Sequence, residues 1–455
     1  MQFSLPIPHS LQNKRHREQA QQVLCAALQA VDPGEAVRRH MHKAGEKLLI
    51  AGRQYRLPDY RQIFLVGAGK AGAPMAQAAS DILGERLAGG IVIVKEGYGT
   101  EQPGNRKVKI LEAGHPFPDR RGLQATQEIL ALLANLHPDD LVICLISGGG
   151  SALMTAPAPG ITLEDLQALT ATLLACGAEI NAINLLRKHL DLIKGGGLAR
   201  LAAPAALATL ILSDVVGNPL DVIASGPSVP DPTTFEQAYA VLVDNGILDQ
   251  APASVVTRLE RGAQGKIPDT PKAGDPIFNQ VQNVIVGSNQ QAAQAGLERA
   301  QELGFHPLLL TTYLQGEARQ AGRMLAAVAR QVASNGQPVP RPACILAGGE
   351  TTVSLQGDGV GGRNQELALG AAADIAGLAE VALFALATDG GDGLSKAAGA
   401  MVTGDTMRRA RELELDPDDY LRRNDSYHFF EPLGDLLITG PTQTNVNDLA
   451  FLFAF

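Results

Sequence analysis

Residues Leu65 to Ala79 read LVGAGKAGAPMAQAA. An apolar run ends in Gly67, Gly69 and Gly72, with Lys70 in their midst, and a helical pattern begins there. A buried strand that turns through glycines into a helix is the opening of a βαβ unit. The pattern returns along the chain. QIFLVG, GGIVIV, LVICLIS, LATLILS, VIVG, ACILAG, VALFALAT and DLLITG are short apolar runs that alternate with helical segments. Strands buried on both faces read as continuous apolar runs, so a mainly parallel sheet is predicted. The fold class is therefore α/β, Rossmann-like in its N-terminal domain, with functional residues expected where strands end.

The 455 residues suffice for two domains, placed at 1–255 and 275–455. The first sixty residues read as helical; NKRHREQAQQVLCAALQAV has helical spacing and closes at Asp32 and Pro33. The polar stretch from Asp231 to Pro276 reads as a helical connector. Beyond it, SNQQAAQAGLERAQELG and EARQAGRMLAAVARQVASNG are two further helices.

A formal net charge of -9, scarce aromatics and no tryptophan argue against nucleic acid as a partner. No stretch is long and apolar enough to span a bilayer, and no signal peptide is visible, so a cytoplasmic protein without a membrane partner is expected. Cys25, Cys144, Cys176 and Cys344 form no C-x-x-C pair. Cys144 and Cys344, inside apolar runs, read as core residues.

The strand ends carry the chemistry. The spacing of Gly67, Gly69 and Gly72 fits a dinucleotide fingerprint. Glu96, after the next strand, suits a ribose diol, but Lys95 beside it blurs that signal. Lys70 favours the second reading, a cation delivered to an anionic substrate. After LVICLI come Ser147, Gly148, Gly149, Gly150 and Ser151, whose backbone N–H groups suit an anion nest. Arg187, Lys188, His189 and Lys194 cluster before a triple glycine, where an anion-facing role competes with a solvated face. Asp214 follows another strand in a loop rich in glycine and proline, where a carboxylate can hold a cation or orient a hydroxyl. In the C-terminal half Glu350 follows ACILAGG, and Arg363 and Asn364 open a helix behind a glycine run. Asp389 and Asp392 flank glycines in ATDGGDG, where a metal site or a general base is expected. Anion cradles with strand-end aspartates fit phosphoryl transfer, which needs positioning and charge neutralisation above all.

The segments GAGKA, AGHPFPD, SGGGSALM, RKHLDLIKGGGLA, SDVVGNPLDVIASGPSVPD, GGETTV, GVGGRNQELAL, ATDGGDG and NDSYHFFEPLGDLLITGPTQTNVNDL occur in order over almost the whole chain. Together they closely resemble the class II glycerate kinases, the glycerate 2-kinase group whose C-terminal part is the MOFRL domain, here about residues 340–450. Members are often labelled hydroxypyruvate reductase. The resemblance implies phosphorylation of D-glycerate to 2-phosphoglycerate by ATP with Mg²⁺, in a cleft between two α/β domains. It maps the family's catalytic lysine onto Lys70 and its functional aspartates onto Asp214 and Asp389. The family's arginine falls on Arg363, and its phosphate- or substrate-holding loop on Ser147 to Ser151. Gly69, Lys188, Lys194, Glu350 and Asn364 complete the expected binding set, Asp389 and Asp392 the expected metal ligands, and a homodimer is the candidate assembly. One departure stands out: the family's P-T-D-A-A-G is LSKAAG here, with Leu394, Ser395 and Lys396.

Three alternatives remain. A nicotinamide-dependent hydroxypyruvate reductase would use His115 as its acid. A hydrolase would use Ser147 or Ser151, but Leu153 stands where a nucleophile elbow needs glycine. A non-catalytic sugar-acid sensor would need neither an aspartate base nor a metal.

Overall fold

The computed structural model describes residues 5–99 and 107–455. They form two compact units, Pro33–Val286 and a second that joins the chain up to Asp32 to Gly287–Phe455.

The Pro33–Val286 unit opens with the helix Pro33–His40 and a small antiparallel sheet, β1 (Met41–Ala44), β2 (Lys47–Ile50) and β3 (Arg53–Arg56). This sheet replaces part of the helical reading of the first sixty residues. Gly45, Ala51 and Gly52 take positive φ in its two-residue turns, which suits tight hairpins.

The main sheet contains β4 (Gln62–Ala68), β5 (Leu87–Lys95), β6 (Val108–Ala113), β7 (Asp140–Ile146), β8 (Ala206–Leu212) and β9 (Val281–Gly287). Its order is β6-β5-β4-β7-β8-β9, and β6 through β8 run parallel. The chain builds outward from β4 to β6, then crosses to the other side of β4 for β7 and β8. That is the Rossmann order, with its switch point between β4 and β7. Every residue of β7 and β8 is buried, which explains their unbroken apolar runs. Val66, Ile93, Val142, Cys144, Ile146 and Leu207 share its core.

The stretch after Asp231 is helical as read, with Phe235–Asp244 and Ala253–Ala263. These helices belong to this unit. Phe235, Leu242, Val255 and Leu259 pack with Leu169, Leu186 and Leu190 in an all-helical core.

The second unit holds β10 (His306–Leu314), β11 (Ala343–Gly349), β12 (Val381–Ala387), β13 (Gly399–Thr403), β14 (Leu436–Leu437) and β15 (Asp448–Ala454), in the order β10-β11-β15-β12-β13-β14. The architecture is α/β as expected, but the mainly parallel character belongs to the first sheet. Here only β10 and β11 pair parallel, because β15 enters antiparallel between β11 and β12. The predicted strand DLLITG contracts to Leu436–Leu437. The first helix, Lys14–Ala30, packs in this unit against Asn289–Glu302, whereas the sequence reading placed it in the N-terminal domain. The contact is close because Gly296 faces Ala27. Among the described residues no helix is long and apolar enough to cross a membrane. Cys144 and Cys344 are core residues, and burial pushes both thiols up.

Candidate active site

In the Pro33–Val286 unit two of the candidate segments meet at the switch point. Gly69 and Lys70 follow β4, and Ser147 to Ser151 follow its neighbour β7. The two loops are bolted together. The Lys70 N–H donates to the Gly148 carbonyl at 2.8 Å, the Ser147 N–H to the Ala68 carbonyl at 3.1 Å, and the Ala71 N–H to Ser147 Oγ at 3.0 Å. A Cβ on Gly69 would lie 2.1 Å from Ser147 Oγ, and one on Gly67 2.3 Å from the Leu145 carbonyl oxygen. On Gly72 it would lie 2.8 Å from Val92. The fingerprint spacing is thus accounted for by loop and strand packing, with no pyrophosphate needed to explain it.

The glycine loop keeps binding capacity. The N–H groups of Gly148 and Gly149 have no acceptor among the described residues. Adjacent free N–H groups at a switch point suit an oxyanion. Gly149 sits at φ +83, with His115 so close that a Cβ would meet its ring at 2.8 Å. Burial, then the charges of Lys70 and Lys95, lower the His115 pKa to about 4. An imidazole that is neutral near pH 7 is a poor proton donor for the reductase alternative. Ser151 Oγ lies 2.9 Å from Ser225 Oγ, and Ser225 donates to Asn184. Ala224 and Ser225 both hold positive φ, a strained pair fixed beside the loop. Asp214 follows β8 and is half-buried.

Two expected anion binders are engaged elsewhere. Lys188 is buried and bonds Asp231 Oδ1 at 3.2 Å and Asp221 Oδ2 at 3.4 Å. Lys194 is buried and bonds Asp191 Oδ2 at 2.7 Å and the Met154 carbonyl at 3.2 Å. Both lysines tie loops to helices. His189 likewise lies 3.2 Å from Asp269.

In the second unit the site is built around Arg363, the first residue of the helix Arg363–Ala372. Its guanidinium pairs with Glu350 Oε1 at 2.7 Å and grips Asp448 with two nitrogens, Nη2 to Oδ1 at 3.1 Å and Nε to Oδ2. Burial would lower the Arg363 pKa, but Asp448, Glu350 and Asp392 outweigh it and hold the charge. Burial pushes the Asp448 carboxyl up to about 7, against the pull of Arg363. Asp448 was not among the expected site residues. It opens β15, level with Gly349 of β11 and Ala387 of β12. Because β15 runs antiparallel, its first residue stands at the carboxyl ends of its neighbours, between Glu350 and Asp389.

Asp389 and Asp392 differ in burial. Asp389 is half-buried and accepts the Gly391 N–H at 3.1 Å. Asp392 is buried, and both its oxygens are filled. Oδ1 accepts the Asn364 N–H at 3.1 Å and its Nδ2 at 3.3 Å; Oδ2 accepts the Gln365 N–H at 2.9 Å and its Nε2 at 3.0 Å. Burial raises its pKa, against these donors. Asp392 and Asn364 therefore anchor the start of the Arg363 helix to each other. Among the described residues no three His, Cys, Asp or Glu side chains are grouped to hold a metal. Mg²⁺ needs only one or two carboxylates when substrate phosphates complete its shell, and Asp389 fits that role better than Asp392. In the departing segment Leu394 and Lys396 are exposed, while Ser395 accepts from Gln365 Nε2 at 2.8 Å.

Residues 343–448 match the family described as MOFRL, and residues 19–260 match a family described as a domain of unknown function, DUF4147. The chain is 40% identical over 434 residues to a protein of Pyrococcus horikoshii named glycerate 2-kinase, covering 95% of this chain and 96% of the relative. A protein of Agrobacterium vitis, provisionally named a hydroxypyruvate reductase, is 44% identical over 85% of each chain. The solved structure of a Thermotoga maritima glycerate kinase superposes with a TM-score of 0.85 at 39% identity, covering 96% of this chain and 99% of the other.

Proposed function

Because this chain belongs to the family of class II glycerate kinases, the MOFRL-domain glycerate 2-kinases, we propose that it transfers a phosphoryl group from ATP, with Mg²⁺, to the 2-hydroxyl of D-glycerate. The reading is carried by one observation. A chain 40% identical to a named glycerate 2-kinase along nearly its whole length places Lys70, Asp214 and Asp389 just past strand ends, and Arg363 in a bidentate carboxylate grip.

In this reading the free N–H groups of Gly148 and Gly149 bind an anionic oxygen, and Lys70 neutralises charge beside them. Arg363, held flat by Asp448 and Glu350, presents its remaining face to the substrate carboxylate or the transferring phosphoryl group. Asp389 offers a carboxylate oxygen to the hydroxyl proton or to Mg²⁺. The bound ion would add charge neutralisation on the phosphates. Asp214 orients the substrate. Asp448 acts through Arg363 as a positioning residue.

The test is ADP release with D-glycerate, ATP and Mg²⁺, beside a cuvette of hydroxypyruvate with NADH or NADPH. ADP release that needs both glycerate and Mg²⁺ is expected. Nicotinamide oxidation without ADP release would overturn the proposal. Lys70→Ala, Arg363→Ala and Asp389→Asn should each lose on the order of 10²–10³ in rate while staying folded. A variant with wild-type turnover removes its residue from the mechanism.

A further inference from the structure

We propose that Arg187 is the oxyanion-binding cation of the glycine loop, receiving a carboxylate or phosphate group of the ligand beside Ser151; this rests on the kinase reading above. Arg187 sits in the helix Ile180–Leu190 next to Lys188, and the two have different surroundings. Lys188 and Lys194 are matched by carboxylates, as is Arg363 in the other unit. The guanidinium of Arg187 makes no hydrogen bond and no ion pair among the described residues. Asp191 lies close enough to favour its charge but is committed to Lys194 and to the N–H groups of Ala156 and Ile193.

Arg187 also faces the right place. It lines a cavity of about 30 Å³ with Ser151, Thr155 and Thr170, under a wall of Leu166 and Leu186. That space admits about two water-sized groups, the dimensions of one carboxylate or the edge of a phosphate. Ser151 is fixed there through Ser225 and Asn184, and Asn184 lies on the same helix as Arg187. A half-buried guanidinium on a largely apolar wall, with no acceptor for its five N–H groups, is costly until an anion arrives. Its planar fork then binds two oxygens at once.

The experiment compares wild type, Arg187→Met and Arg187→Lys. Steady-state kinetics vary D-glycerate and ATP separately, and thermal unfolding is followed without ligand. For Arg187→Met one KM should rise at least tenfold, with unfolding at or above the wild-type temperature because an unpaired charge has gone. Arg187→Lys should recover only part of the loss. A rise in the glycerate KM identifies the carboxylate, and a rise in the ATP KM identifies a nucleotide phosphate. Two unchanged KM values overturn the proposal, whatever happens to unfolding. If wild type itself releases no ADP, the kinase reading has failed separately. Calorimetric titration with inorganic phosphate and with D-glycerate then decides: at least tenfold weaker binding to Arg187→Met supports the assignment, and equal or absent binding in both proteins overturns it.

Discussion

Replacing Asp392 with asparagine separates two roles for an acidic pair that looks alike in the sequence. The structure fills Asp392 with four N–H donors, two on each oxygen. Asparagine keeps one oxygen and turns an NH₂ group toward the other two donors. In either orientation one backbone N–H at the start of the Arg363–Ala372 helix loses its acceptor, and one side-chain amide loses its own. Bonds to a charged acceptor contribute about 1.5–3 kcal/mol each, so two of them amount to about 3–6 kcal/mol. Gln365 Nε2 already has Ser395 Oγ at 2.8 Å as a second partner, which favours the lower end. In a unit of about two hundred residues, about 3 kcal/mol shifts the unfolding midpoint by roughly 6–12 °C. The assay is thermal unfolding of the ligand-free protein with EDTA present. If Asp392 were a metal ligand, the EDTA-treated variant would unfold with the wild type, and only stabilisation by Mg²⁺ would be lost. An unfolding midpoint within about a degree of wild type refutes the anchoring argument.

Two further outcomes follow from the switch-point loops. His115 should stay neutral down to about pH 4, so an NMR titration of its ring should show no midpoint near 6.5; a normal midpoint would mean that the ring is not buried against Lys70 and Lys95. The unfolded chain takes up this proton first as pH falls, so the stability His115 contributes is full above about pH 6.5 and declines toward about pH 4. Gly69→Ala places a methyl group 2.1 Å from Ser147 Oγ at a φ of +141, and should cost about 2–5 kcal/mol in denaturant unfolding with no nucleotide present. Unchanged stability would return the glycine spacing to a ligand-binding explanation.

Much of the first unit was legible because its strands are buried on both faces and advertise themselves as apolar runs. The strand ends then located Lys70, the glycine loop and Asp214 without further information. The three-stranded sheet at Met41–Arg56 was not legible as sheet, since its strands are short and mostly exposed. β15 is a different case. LAFLFAF is an apolar run like the others, and the signal was present at Leu449 to Phe455. Finding the strand would still not have placed Asp448 in the site. A residue at a strand's beginning stands at the far end of a parallel sheet, and only the antiparallel entry of β15 brings it level with Gly349 and Ala387.

The basic residues show the other limit of reading charge from a motif. RKHLDLIK presents Arg187, Lys188, His189 and Lys194 as one cluster, yet the fold sorts them by partners far away in the chain. Lys188 meets Asp221 and Asp231, and His189 meets Asp269. Lys194 meets Asp191 within its own turn. A chain with a net charge of -9 has carboxylates to spare for such pairing, so the cations of a motif outnumber those left for a ligand. Burying a lysine requires that pairing, because an unmatched ammonium would deprotonate or open the structure. Within this cluster the informative cation is therefore the one the fold leaves without a partner. In the helix Ile180–Leu190 that is Arg187, the residue best suited by its planar fork to wait for an oxyanion.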